Sequence, residues 1–149
     1  MKKRQPLPPT YFLIFLLLAI VLHFVLPLIK LIYPPYNFTG VLLIGIGIYL
    51  SIWADRLLKV KNTTVKPFEK TTYFIQEGPF RFSRHPMYLG MVIILVGVAI
   101  LLGSISPFIC SLGFFITMNI IFIPQEEKIL KEAFGQDFIN YKRRVRCWV

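Results

Sequence analysis

Long apolar runs alternate with short polar stretches along this chain. Four runs stand out, at residues 11–32, 39–58, 86–103 and 107–123, each with the length and composition of a helix that crosses hydrocarbon. Pro27 is expected to kink the first, with neighbouring groups satisfying the freed carbonyl. Tyr33-Pro34-Pro35-Tyr36-Asn37-Phe38 reads as an uncharged turn and Ser104-Ile105-Ser106 as a tight one. In the second run Gly40, Gly45 and Gly47 offer close helix contact, and Trp53 suits an interface. Gly90 and Gly97 lie seven apart, on one face of the third. Pro124 then separates the fourth run from an amphipathic helix at 125–134, which Gly135 stops. A short basic segment, 137–148, comes last.

These elements predict an all-α integral membrane protein. It has four transmembrane helices, a loop at 59–85, a tail at 124–149, and a single domain over 1–149. Composition agrees: 56% of residues are hydrophobic and the mean hydropathy is +0.65. Met1-Lys2-Lys3-Arg4 before an apolar run also suits a signal peptide. The run is longer than a signal core and has no small-residue cleavage site after it, so it reads as a retained span.

Charge fixes an expected orientation. Of 17 lysines and arginines, all but Lys30 fall on the face that holds both termini and the long loop. The positive-inside rule places that face, and any site on it, in the cytoplasm. The net charge of +10 is thereby a membrane signal, and with no separate basic domain nucleic acid is not an expected partner. Cys110 and Cys147 are expected at different depths and unpaired. There is no Cys-x-x-Cys and no histidine cluster, so sequence spacing carries no metal signature. His23, inside the first span without an acidic partner nearby, reads as structural or interfacial.

The chemistry concentrates on the cytoplasmic face. Arg84 and His85 stand at the start of the third span, where Pro86 suits the first helical turn and His85 must be extended. Glu126 and Glu127 come just after the fourth span, and a hairpin returns them to the same side. A helix N-terminus, a guanidinium and two carboxylates can clasp an amino-acid zwitterion. Singly, each residue has an ordinary explanation. Arg84 can anchor to lipid phosphate, His85 can cap, Tyr88 can sit at the interface, and Glu127 can pair with Lys131. Their order and topology together argue for a site.

Four motifs in this order make a specific combination. Thr63-Thr64-Val65-Lys66-Pro67-Phe68 precedes Gly78-Pro79-Phe80-Arg81-Phe82-Ser83-Arg84-His85-Pro86-Met87-Tyr88-Leu89-Gly90. Glu126-Glu127-Lys128-Ile129-Leu130 and Phe134-Gly135-Gln136-Asp137-Phe138-Ile139-Asn140-Tyr141 lie beyond the fourth apolar run. Over about 62–148 the chain resembles the membrane-bound methyltransferases that include isoprenylcysteine carboxyl methyltransferases and phospholipid N-methyltransferases.

The resemblance implies an S-adenosylmethionine-dependent enzyme without a Rossmann fold, acting on a lipid or prenylated acceptor. It implies that His85, Pro86, Tyr88, Gly90, Glu126 and Glu127 hold the cofactor, with Arg84, His85 and Glu127 as catalytic candidates. The acceptor is expected first as a carboxylate, with a phospholipid amine as the alternative and a non-catalytic scaffold as a further one. A carboxylate wants an arginine to orient it; an amine wants a base, from His85 or a glutamate. The tail departs from the family pattern, because Cys147 stands where an arginine is expected. Tyr141, Arg144 and Arg146 are the candidate acceptor-binding residues.

Overall fold

A computed structural model describes residues 7–26, 28–61 and 74–149. Pro27, the N-terminal basic cluster and the Thr63–Phe68 motif lie outside the described residues. The helices are α1 Pro8–Val25, α2 Thr39–Val60, α3 Pro86–Leu102, α4 Ile105–Thr117, α5 Ile123–Phe134 and α6 Gln136–Arg144. Among the described residues there is no strand, only an isolated Lys30–Ser104 bridge.

Three segments are long and apolar enough to cross a membrane: Pro8–Val25, Tyr36–Val60 and the continuous Ile105–Phe134. α3 is apolar throughout but shorter. Leucines, isoleucines and aromatics of α1 and α2 point outward in number, among them Leu13, Leu17, Phe24, Leu42 and Tyr49. Such an outer surface is that of a bundle meeting lipid.

α3 sits between α2 and α4, and α1 packs chiefly on α4 while also touching α3. The α2–α3 contact depends on two glycine pairs in antiparallel register. A Cβ on Gly47 would lie 2.6 Å from the Gly90 carbonyl oxygen, and one on Gly97 2.8 Å from that of Gly40. Only hydrogen fits there, so the backbones approach closely and dispersion replaces the hydrophobic drive that lipid cannot supply. Gly45 faces open space. On the other side of α3, Tyr88, Met91 and Leu95 meet Phe114, Met118, Phe122 and Ile123, with Tyr11, Phe12, Phe15 and Leu16 of α1 packed against them.

Two boundaries differ from the sequence expectation. The first span does not run to residue 32: α1 ends at Val25, and Leu26 takes φ −134°, ψ 69°. A residue before proline avoids the helical region. Leu31 and Ile32 instead donate to the Gly103 carbonyl at 2.7 and 3.1 Å, and Ile105 donates to Ile29 at 3.2 Å. Nor does Pro124 separate the fourth span from an amphipathic helix. α4 begins at Ile105 and passes through a π-helical turn, Met118–Phe122, into α5, with Pro124 in the first turn of α5. The wider π turn absorbs a residue that cannot donate to the preceding turn.

Candidate functional site

The α3 N-terminus is set by its loop. Gly78, at φ +57°, opens a 3₁₀ turn, Gly78–Arg81, that lies against Trp53 and Leu57 of α2. Ser83 accepts the His85 N–H at 3.2 Å and donates to the Cys147 carbonyl at 3.1 Å. His85 is the non-helical residue before Pro86, at φ −128°, ψ 61°. Its ring is thereby turned toward α5 instead of continuing α3.

On α5, Glu126 and Glu127 present both carboxylates to this point. His85 Nδ1 lies 3.1 Å from Glu126 Oε2. A carboxylate only accepts, so Nδ1 carries a proton. The Tyr88 hydroxyl donates to the other oxygen of Glu126, and the His85 and Tyr88 rings stack at 5.6 Å. Glu127 takes the cations: Arg84 Nη1 is 2.8 Å from Oε1, and Lys142 Nζ of α6 donates to Oε2 at 2.6 Å. His85 Nε2 faces Glu127 Oε1 at 3.8 Å. Burial alone would push the His85 imidazole down, but Glu126 and Glu127 outweigh it and hold His85 above its ordinary value.

The cluster is not internally satisfied. His85 Nε2, Glu127 Oε1, Arg84 Nε and Arg84 Nη1 are buried and make no hydrogen bond. Arg84 Nη1 and Glu127 Oε1 attract as charges but lack hydrogen-bond alignment. Unmade bonds in buried polar groups cost about 1–3 kcal/mol each, so the four leave hydrogen-bonding capacity here for another molecule. Two carboxylates, a guanidinium and an imidazole at the positive end of a helix suit the ammonium and carboxylate of an amino acid.

The C-terminal tail closes one wall. Arg84 N–H donates to the Arg146 carbonyl at 3.1 Å. Trp148 packs on Phe115 and donates from Nε1 to Asn119, in the π turn, at 3.0 Å. Sequence reasoning misses Asn119; a polar residue inside the fourth apolar run is the signal that could have found it.

The remaining candidates fall elsewhere. Gly90 packs against Gly47 and Ser51 of α2, where a side chain would not fit. Pro86 is buried at the start of α3. Tyr141 donates to the Phe80 carbonyl at 2.6 Å and meets Phe74, and burial pushes its hydroxyl up to about 12. Arg144 is exposed and bonds Gln76 at 3.0 Å, while the Arg146 side chain is exposed. These three residues fasten the loop and tail; Arg84 is the guanidinium beside Glu127. Cys110 and Cys147 are free thiols.

Fold and site together define a helical bundle of membrane character with a polar, incompletely satisfied cluster at one end. A family model for phospholipid methyltransferase matches residues 36–137, and the chain belongs to that family. Protein-S-isoprenylcysteine O-methyltransferase B of Arabidopsis thaliana is 35% identical over 74 residues, 48% of this chain and 36% of that protein. An uncharacterized protein of Haemophilus influenzae is 32% identical over 63 residues, 42% of this chain and 100% of its own length. Among solved structures, the eukaryotic intramembrane Ras methyltransferase, an isoprenylcysteine carboxyl methyltransferase, superposes with a TM-score of 0.68 at 19% identity. That match covers 95% of this chain and 51% of the other, and it establishes the fold. The chain thus spans about a third of the Arabidopsis relative and half of the solved one.

Proposed function

We propose that the chain transfers a methyl group from S-adenosylmethionine to a membrane-embedded lipidic acceptor, with a carboxylate as the foremost acceptor class. The observation that carries this reading is the set of four buried, unbonded polar atoms on Arg84, His85 and Glu127. The donor set fits the zwitterionic end of the cofactor. Glu126 and Glu127 would hold its ammonium, and Arg84 with the first turn of α3 its carboxylate. When bound, S-adenosylmethionine supplies a methyl group on a positively charged sulfur.

The residues' part is mostly orientation, worth up to about 7–11 kcal/mol in well-aligned systems. His85 is oriented by Glu126 and by its stack on Tyr88, which presets the direction of the ring. The Arg84 guanidinium can also draw an acceptor carboxylate toward the pocket. The family match to phospholipid methyltransferase keeps the amine acceptor as the second reading; there the His85–Glu126 pair would take the proton released by the amine.

In this reading the domain is single, with four spans: α1, α2, α3 and the apolar part of Ile105–Phe134. The excess of lysine and arginine puts both termini and the pocket in the cytoplasm. The acceptor enters sideways from the bilayer.

The test is labelled S-adenosylmethionine with purified protein and either farnesylcysteine or fractionated phospholipid. Base-labile label in farnesylcysteine supports a carboxyl acceptor; stable label in an aminophospholipid supports the amine reading. Label in neither fraction, from protein that binds S-adenosylhomocysteine, overturns the lipid assignment.

A further inference from the structure

We propose that His85 Nε2, Glu127 Oε1 and Cys147 Sγ form a binding site for a thiophilic divalent cation of the zinc class. One imidazole nitrogen of His85, one carboxylate oxygen of Glu127 and Cys147 Sγ all lie within 4.8 Å of one another. Nitrogen, sulfur and oxygen ligands of one tetrahedral zinc, at about 2.0–2.3 Å from the metal, stand about 3.3–3.6 Å apart. His85 Nε2 and Glu127 Oε1 are already at 3.8 Å, so a contraction of a few tenths of an ångström brings this pair into range.

Two further observations point to a ligand. First, His85 is only 6% exposed, and both its Nε2 and Glu127 Oε1 lack hydrogen-bond partners. One cation bonded to both would satisfy them together. Second, Glu126 holds the opposite ring nitrogen at 3.1 Å. A carboxylate on one nitrogen orients the ring and raises the basicity of the other, which is how metal-bound histidines are commonly supported.

The thiol is also well placed. The Ser83 hydroxyl and the Arg84 N–H fix the Cys147 and Arg146 carbonyls at 3.1 Å each, and Trp148 is anchored on Asn119 beyond them. Cys147 therefore reaches the pocket from a backbone tied on both sides. Imidazole with thiolate selects zinc, cobalt or copper over magnesium and calcium. Arg84 is the internal competitor: its Nη1, 2.8 Å from Glu127 Oε1, must yield that oxygen, while Lys142 keeps the other.

Bound there, the cation would tie the tail to the start of α3 and take the position that the proposed cofactor ammonium needs. Metal and S-adenosylmethionine would then exclude each other. This consequence rests on the methyltransferase reading; cation binding does not.

The experiment titrates Co²⁺ into the purified, reduced full chain. A near-ultraviolet thiolate-to-cobalt band is expected, displaced by Zn²⁺, retained in Cys110→Ser and lost in Cys147→Ser. Glu126→Gln should weaken Co²⁺ binding about 10–100-fold. A second measurement needs no variant: Zn²⁺ should slow alkylation of Cys147, read by peptide mass spectrometry. No cobalt band, a band undiminished in Cys147→Ser, or an unchanged alkylation rate would each overturn the site. The cobalt spectrum reads the cation whether or not S-adenosylhomocysteine binds, so the two proposals fail separately.

Discussion

The two ends of α3 each carry a histidine against oxygen-bearing side chains, and they differ in completeness. At the Gly103 end, His23 Nδ1 meets Ser104 Oγ at 2.7 Å, and Ser106 donates to the Leu26 carbonyl at 2.7 Å. The carbonyl of Gly103, at φ +76°, takes two N–H groups from residues 31 and 32. Among the described residues this end leaves one buried side-chain atom unbonded, Asn37 Oδ1. At the His85 end, four are unbonded. A closed polar cluster holds two connections together; an open one keeps capacity for a ligand. Completeness of bonding, more than the presence of a histidine, separates scaffold from site in this bundle.

The largest expected effect is on the open end. Glu127→Ala leaves Arg84 and Lys142 without their carboxylate. It should cost at least about 2 kcal/mol of S-adenosylhomocysteine binding, about 30-fold, with membrane insertion preserved. Calorimetry on protein in lipid discs checks this, and unchanged affinity would remove the distinction between the ends. Next comes the seam between them. Gly47→Leu forces a side chain into the Gly90 carbonyl and should destabilise the fold by about 1–3 kcal/mol, read as a lowered melting temperature.

At the closed end, Ser104→Ala strands His23 Nδ1. A loss of about 1–2 kcal/mol is expected, with ligand affinity unaltered. Adding His23→Leu should recover part of it, because both polar partners are then gone. A change in affinity in Ser104→Ala would show that the closed end also serves binding. The smallest effect is Trp148→Phe, which keeps the packing on Phe115 and removes the bond to Asn119. About 0.5–1.5 kcal/mol of stability is expected to go, measured by the same melts.

Much of the bundle is legible in the sequence because hydropathy reports burial in lipid directly. Runs of apolar residues locate α2 and α3 within a few residues, and the spacing of Gly90 and Gly97 foretells a close contact. The ends are less legible. The first helix stops at Val25 because the chain exchanges helical bonds for pairing with Gly103–Ile105, a partner more than seventy positions away that periodicity cannot reveal. Pro124 reads as a break, yet a π turn carries the helix through it. The juxtaposition of His85 with Glu126 and Glu127 comes from hairpin topology. The Gly90 contact with α2 and the arrival of Cys147 beside His85 do not, because both are set by packing. Metal-type spacing is invisible for the same reason, since the three ligands come from separate segments.

Under the proposed function the open end of α3 holds S-adenosylmethionine and the closed end does not. The most direct measurement is the melting temperature of the wild type, Glu127→Ala, His85→Ala and Ser104→Ala, each with and without saturating S-adenosylhomocysteine. Binding at 100 times Kd stabilises by about 2.7 kcal/mol, a readable upward shift. That shift is expected in the wild type and in Ser104→Ala, and its loss in Glu127→Ala and His85→Ala. No shift in the wild type, or an equal shift in Glu127→Ala, would contradict it.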